Sequence, residues 1–520
     1  MMRRKEAVVS VAVWGMACGC AALQSPMPAG YGIKSVPVIP ILEPAGPANP
    51  LPASPKPRET VVDAAAQPLS LEEVLASLEQ NFPLIDAAEQ ERSIAAGLRL
   101  SAEGQFDLGF RARGANREGT FPNNTLDIGF DQPTPFHGIT TFAGYRFGYG
   151  DFPVYQGGLK TAQGGEFRAG FQIPLLKDGP IDRRRAILRQ AQINELLADP
   201  AVRRVRIDAY RAARRAYYNW LAAGELYEIA DRFTTIAKNR EAVIRERFNR
   251  GAAAEIDAAQ AKQALAEREG RLTSADQRLK QAAIDLSLLF RDGQGRQVMA
   301  AASRLPNRLS SFEPASISVE TIPEQVNAAL TARPEMIRFL HLKERAALEA
   351  QVAKNQMQPG LNLGIAAAQD VGFSKPTISE NNIFALDRTY AEAFLSMDLP
   401  VQRREARGKL LAAQGQLAQL IQQEKFAREQ ITVEVQTAIS VLDRDLQRLQ
   451  QARKEYESAE KVTQIAREQY DRGLIRLFEL NSLEVGALDA QAKVVEILAD
   501  YYRTLADYRA ALGIDSEGVR

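Results

Sequence analysis

Cysteine and histidine are nearly missing. The 520 residues hold two of each, and both cysteines, Cys18 and Cys20, fall within the first twenty positions. That excludes a disulfide framework from the rest of the chain and leaves no Cys/His set at metal-ligand spacing. The two histidines, His137 beside proline-containing loop sequence and His341 inside helical sequence, read as surface or packed side chains. Net charge is lacking too: 65 Lys+Arg against 64 Asp+Glu leaves +1, no footprint for nucleic acid. The arginines at 203, 204, 206, 211, 214 and 215 therefore read as a solvated helix face. No phosphate-binding glycine loop, nucleophile elbow or paired-carboxylate constellation stands out, so the expectation is a protein that is no enzyme and takes no cofactor or metal.

What is present begins with Arg3, Arg4 and Lys5 ahead of an apolar run over 7–17, too short for a bilayer span and of the size of a signal-peptide core. Residues 1–20 are read as a lipoprotein-type signal peptide. Cys20, with Cys18 as the alternative, is the expected lipidation site among small residues. Residues 21–68 are rich in Pro and Ala and read as an extended tether.

The remainder is written twice. "LSLEEVLASLEQNFPLIDAAEQ" superimposes on "ETIPEQVNAALTARPEMIRFLH" at one constant offset, pairing Ser70 with Thr321, Glu73 with Glu324 and Pro83 with Pro334. Each hydroxyl and carboxylate three residues apart predicts a capping box, and each proline predicts the end of a short helix or the start of the next. The halves match again through Pro174 and Pro400, and through Gly251 and Gly473. The predicted plan is a first repeat over 69–305 (strands 105–174, helical hairpin 181–290), a linker 306–318, a second repeat over 319–513 (strands 360–400, hairpin 403–512) and a tail 514–520.

From Val401 to Asp471 there is no proline, and Leu417, Leu420, Ile421, Ile431, Val435, Ile439, Leu442, Leu446 and Leu449 recur at helical spacing. That predicts a helix about 100 Å long at about 1.5 Å per residue. A parallel one is expected over 181–248, kinked at Pro200. "FNRG" and "YDRG" then predict hairpin tips, with Gly251 and Gly473 supplying the left-handed backbone position that closes a helix and Arg250 and Arg472 lying near its last carbonyls.

Before each long hairpin the apolar period switches to two, in "FDLGFRARG", "LDIGFD", "YRFGYG" and "EFRAGFQIP", then in "LNLGIA" and "AEAFLSMDL". Strands with one apolar and one charged face suit a barrel wall in lipid around a wet lumen. Too few exist to close a barrel alone, so several chains must pool them. Crossings must be even in each half, because the helices return to one compartment.

These features together, with the lipobox-like "MACGCAAL", "TARPEMIRF", "QIPLLKDG", "FNRGAAAEIDAAQ" and "YDRGLIRLFELNSLE", resemble the TolC-like outer-membrane efflux family over essentially 69–513. The lipobox lacks the leucine usual three places before the cysteine. The resemblance implies a mainly α fold with a membrane β-barrel portion: tandem helical hairpins forming a periplasmic α-barrel, and strands completing a trimeric outer-membrane β-barrel. It implies a homotrimer in outer-membrane lipid that serves as exit duct for efflux or one-step secretion, docking a periplasmic adaptor and, through it, an inner-membrane transporter. The docking tips carry over to Gly473, Leu474 and Ile475 with Arg472, and more weakly to Gly251 and Ala252 with Arg250. Acidic residues past the tips would line the periplasmic aperture: Glu479, with Ser482 at the place of a second acid, and Asp257 and Glu255 in the first half. A ring of three Glu479 carboxylates would bind cations and repel itself.

The first strand region is some thirty residues longer than the second. It could hold an added hairpin or longer strands; the default remains twelve strands in all. A periplasmic adaptor or coiled-coil scaffold lipoprotein is the competing reading, and it would carry one hairpin nested in soluble β-domains.

Overall fold

The computed structural model describes residues 67–153, 159–306, 308–372 and 389–514. The segments read as signal peptide and, nearly entirely, as tether, with Cys18 and Cys20, lie outside the described residues.

The first repeat opens with helix α1 (Leu71–Asn81), whose start is held by the Ser70 hydroxyl accepting the Glu73 amide at 3.1 Å. The Glu73 carboxylate does not complete the box; it takes the Arg304 guanidinium at 2.7 Å. Phe82 is extended and Pro83 begins helix α2 (Pro83–Glu103), where its missing N–H costs nothing. Four strands follow, β1 (Gly109–Arg117), β2 (Asn123–Pro133), β3 (Thr140–Gly150) and β4 (Glu166–Pro174). Then come the 67-residue helix α3 (Arg183–Asn249) and its return α4 (Glu255–Ser287). Helix α3 runs through the buried Pro200 without ending there.

The second repeat repeats the order with fewer strands: helices α5 (Ile322–Ala332) and α6 (Pro334–Asn355), strands β5 (Gly360–Asp370) and β6 (Thr389–Asp398), and helices α7 (Arg404–Asp471) and α8 (Leu477–Ala511). Its predicted capping box is not made. A 3-10 turn over Val319–Thr321 leads into α5, so Thr321 is already helical at ψ −1° and its hydroxyl donates back to the Ser318 carbonyl at 2.7 Å.

All six strands form one antiparallel sheet in chain order, β1 to β6, with the two repeats joined through β4 and β5. The default of twelve strands in all, four per chain in a trimer, is therefore corrected to six per chain among the described residues. The surplus length of the first region is a whole hairpin, β1–β2, because β1 pairs along its full length with β2 and β2 along its full length with β3. Among the described residues both groups remain even, four and two, so helices α1 to α8 lie beyond one end of the sheet.

Helix α3 packs on α2 near the sheet and on α4 farther away, α7 packs likewise on α6 and α8, and α3 touches α6 and α8 to join the repeats. The main core gathers Trp220, Leu78, Ile439, Leu442 and Tyr501, all at most 1 % exposed. Hydrogen bonds tie the short segments to it. The Tyr217 hydroxyl donates to the Leu69 carbonyl at 2.8 Å and that of Tyr501 to the Ala315 carbonyl at 2.5 Å. Arg333 donates to the Ala510 and Ala511 carbonyls at 3.2 and 3.3 Å, placing a cation on the last turn of α8.

Candidate functional site: sheet faces and hairpin tips

Successive strand residues point to opposite faces, and the register decides which strands share each face. One face carries Phe110, Leu126, Ile128, Phe130, Tyr145, Phe147, Phe167, Phe171, Ile365, Leu395 and Met397. Many of these stand in the open: Phe110, Leu395 and Met397 are each over 60 % exposed. The opposite face carries charges in pairs. Arg111 meets Asp131 at 3.0 Å and Arg146 meets Asp127 at 2.7 Å across strands, and Arg168 meets Glu166 at 3.1 Å along β4. Glu392 and Asp398 stand on that face of β6, and Arg113 and Arg117 on that face of β1. Two aromatic rings on it cover glycines of the neighbouring strand, Phe142 over Gly170 and Phe394 over Gly364. No helix among the described residues is long and apolar enough to cross a membrane.

The far ends of the hairpins are turns of one design. Gly251 and Gly473 both have φ +74°. The Gly251 amide donates to the Phe248 carbonyl and that of Ala252 to the Arg247 carbonyl, each at 2.8 Å; the Gly473 and Leu474 amides bond Tyr470 and Gln469 at 2.9 Å. This is the Schellman closure expected from Arg-Gly. Arg250 pairs with Glu246 on its own last turn. Around the turns Leu474 is 70 % and Phe478 66 % exposed, with Ile256 at 62 % beside the first tip. Arg472 and Ala252 are also exposed, and Ile475 is half-buried.

Of the acids predicted past the tips, Glu479 and Glu255 are exposed first-turn residues of α8 and α4, and Asp257 is half-buried in that turn. The Glu479 carboxylate accepts the Arg476 amide at 3.4 Å, a helix-start bond. Ser482 is exposed. A small apolar knot of Ile244, Ala261 and Leu477, with Tyr470 and Ala258 against it, holds the four helices together just inside the turns.

The residue that sequence reasoning missed is Glu484. It is completely buried and accepts from three arginines on three other helices. Arg240 of α3 grips both oxygens at 2.7 Å, Arg268 of α4 reaches Oε2 at 3.0 Å, and Arg467 of α7 reaches Oε1 at 3.1 Å. Burial alone would raise the carboxyl pKa, but the hydrogen bonds and charges of Arg240 and then Arg268 outweigh it and hold the pKa at about 2. No local motif could have shown this, since the four partners come from four helices far apart in the chain. His341 Nδ1 lies 3.6 Å from Glu344. His137 lies in the turn between β2 and β3, with φ 48°. No group of His, Cys, Asp and Glu among the described residues could hold a metal.

Residues 160–290 match the family described as outer membrane efflux protein. The Campylobacter jejuni CmeC outer membrane channel aligns over 86 % of this chain and 87 % of its own, at TM-score 0.60 and 15 % identity. The chain has the fold of the outer-membrane efflux channels. The Neisseria gonorrhoeae MtrE outer membrane channel in its open state aligns over 85 % of this chain and 88 % of its own at TM-score 0.60 and 14 % identity. The Vibrio cholerae outer membrane protein VceC aligns over 85 % and 96 % at TM-score 0.59 and 17 % identity. No curated protein sequence matches. In this efflux-channel fold the strands lie before both hairpins, which removes the single-hairpin scaffold as an account of the architecture.

Proposed function

We propose that the protein is an outer-membrane exit duct, passively conducting solutes delivered by a partner from the periplasm to the outside. The observation that carries this is the two-faced sheet: a band of exposed aromatic and aliphatic side chains on one side, paired charges on the other, and two unpaired edges that lipid cannot tolerate. A homotrimer closes the edges. Helix α7 leaves Leu411, Phe426 and Val433 uncovered at 72 %, 66 % and 59 % exposure, as a helix awaiting neighbouring copies would. The helices then form a periplasmic tunnel, and lipid attached at Cys20 anchors the tether.

In this reading the tips, with Leu474 and Phe478 uncovered, dock a periplasmic adaptor that brings an inner-membrane transporter. Glu479, with Ser482, Asp257 and Glu255, lines the periplasmic aperture. The test is reconstitution of detergent-extracted protein in planar bilayers. The expected result is a trimer giving discrete ion-conducting steps, and a soluble monomer with no conductance would refute the reading.

A further inference from the structure

The two edge strands are the most exposed of the sheet, every residue of β1 and β6 standing open. They are also complementary. On the charged face β1 presents Arg111, Arg113 and Arg117, while β6 presents Glu392 and Asp398; on the other face β1 presents Phe110 and Ala112, while β6 presents Ala391, Ala393, Leu395 and Met397. With six strands the first and last run in opposite directions, so β1 of one copy meets β6 of the next antiparallel, as every other pair in the sheet does.

The hairpin β1–β2 belongs to this wall and is not a loop laid over it. Its apolar residues continue the lipid-facing band, with the Phe110 and Phe130 rings 5.4 Å apart, and its polar residues pair within the charged face through Arg111–Asp131 and Asp127–Arg146. Its link to β3 turns at the helix end of the sheet. There, a side chain at Gly138 would collide with the Asp178 carbonyl at 2.8 Å and with the Pro174 ring at 2.9 Å. That contact fixes the hairpin's base beside the β4–α3 connection.

We propose that three copies close into a barrel of eighteen strands, sealed at each seam by arginines of β1 against acids of β6, whose lumen is too wide to sieve the cargo. The inference rests on the duct reading and adds the width. At a strand spacing of about 4.8 Å and a tilt of about 40°, eighteen strands give a backbone diameter of about 36 Å and twelve give about 24 Å. Subtracting about 5 Å of side chain on each wall leaves lumens of about 26 and 14 Å, roughly a threefold difference in cross-section. Selection by size then falls to the helical end of the duct. The barrel itself would pass solutes the size of a small folded peptide.

Electron cryomicroscopy of the full-length trimer in lipid nanodiscs counts the strands directly, and eighteen is the expected number. Disulfide trapping tests the seam separately. Cysteines at Ala112 and, in turn, at Ala391, Ala393 and Leu395 should give cross-linked trimers at one β6 position only when both cysteines are present. Polymers about 20 Å across, added from the extracellular side, should enter the barrel and lower conductance. A conducting trimer with twelve wall strands and the β1–β2 hairpin folded elsewhere would overturn the inference and leave the duct intact. A chain that forms no membrane barrel would overturn both.

Discussion

Replacing Glu484 with Gln removes one charge from beneath three arginines and leaves their geometry almost untouched. The carboxyl pKa lies at about 2 against an ordinary value of 4.5, which corresponds to about 3 kcal/mol of interaction favouring the ionised, clamped state. Breaking a buried ion pair by removing one partner costs about 3–5 kcal/mol, the same size. Arg268 suffers most, being 3 % exposed, whereas Arg467 at 43 % can turn to water. The lost bonds join α8 to α3, α4 and α7, so the effect is local: the ends of the two hairpins should part about 100-fold more often. Hydrogen exchange read residue by residue around Arg240, Arg268 and Glu484 in the assembled protein measures that opening, with the amides around Trp220 as an internal control. Removing Arg268 as well, in Glu484→Gln with Arg268→Met, should recover part of the protection, because the stranded cation is gone. Unchanged exchange in Glu484→Gln would refute the assignment of the clamp as the tie between the hairpins.

The same group sets an acid limit. Its folded pKa is lowered, so its contribution is complete above about pH 4.5 and fades as pH falls toward about 2, a loss that exchange or limited proteolysis near the tips should follow and that Glu484→Gln should abolish. Gly473→Ala and Gly251→Ala meet no atom within 4 Å, so their cost is the left-handed backbone alone, about 1 kcal/mol each; Asn should cost less, as thermal unfolding would show. Leu474→Glu should leave trimer formation and conductance intact while weakening adaptor binding at least tenfold in pull-down or surface resonance. Cys20→Ser should remove lipid from the mature chain by mass spectrometry, and lipid persisting on that variant would move the site to Cys18.

The helices, their hinges and the turns were legible because each rests on local chemistry: apolar spacing in α7, proline at N1 of α2 and α6, glycine in left-handed backbone at 251 and 473. The strands were legible one at a time for the same reason, by alternation. Their number per chain was not, since added length in the first region fits either longer strands or another hairpin, and only the pairing of β2 on both sides decides it. Thr321 shows a second limit. Its spacing to Glu324 copies that of Ser70 to Glu73, but the 3-10 turn before α5 changes its backbone and redirects its hydroxyl. Glu484 shows the third, a site made wholly by packing. Glu479, singled out by its distance from the glycine, is exposed on the first turn of α8 and accepts the Arg476 amide there.

The two tips share a backbone but not a surface. Where one offers Leu474 and Phe478, the other offers Ala252 and Ile256. In the proposed trimer these would alternate around the rim, so a ring of identical adaptors would encounter two chemically unequal seats. It would then adopt two poses or leave every second seat empty.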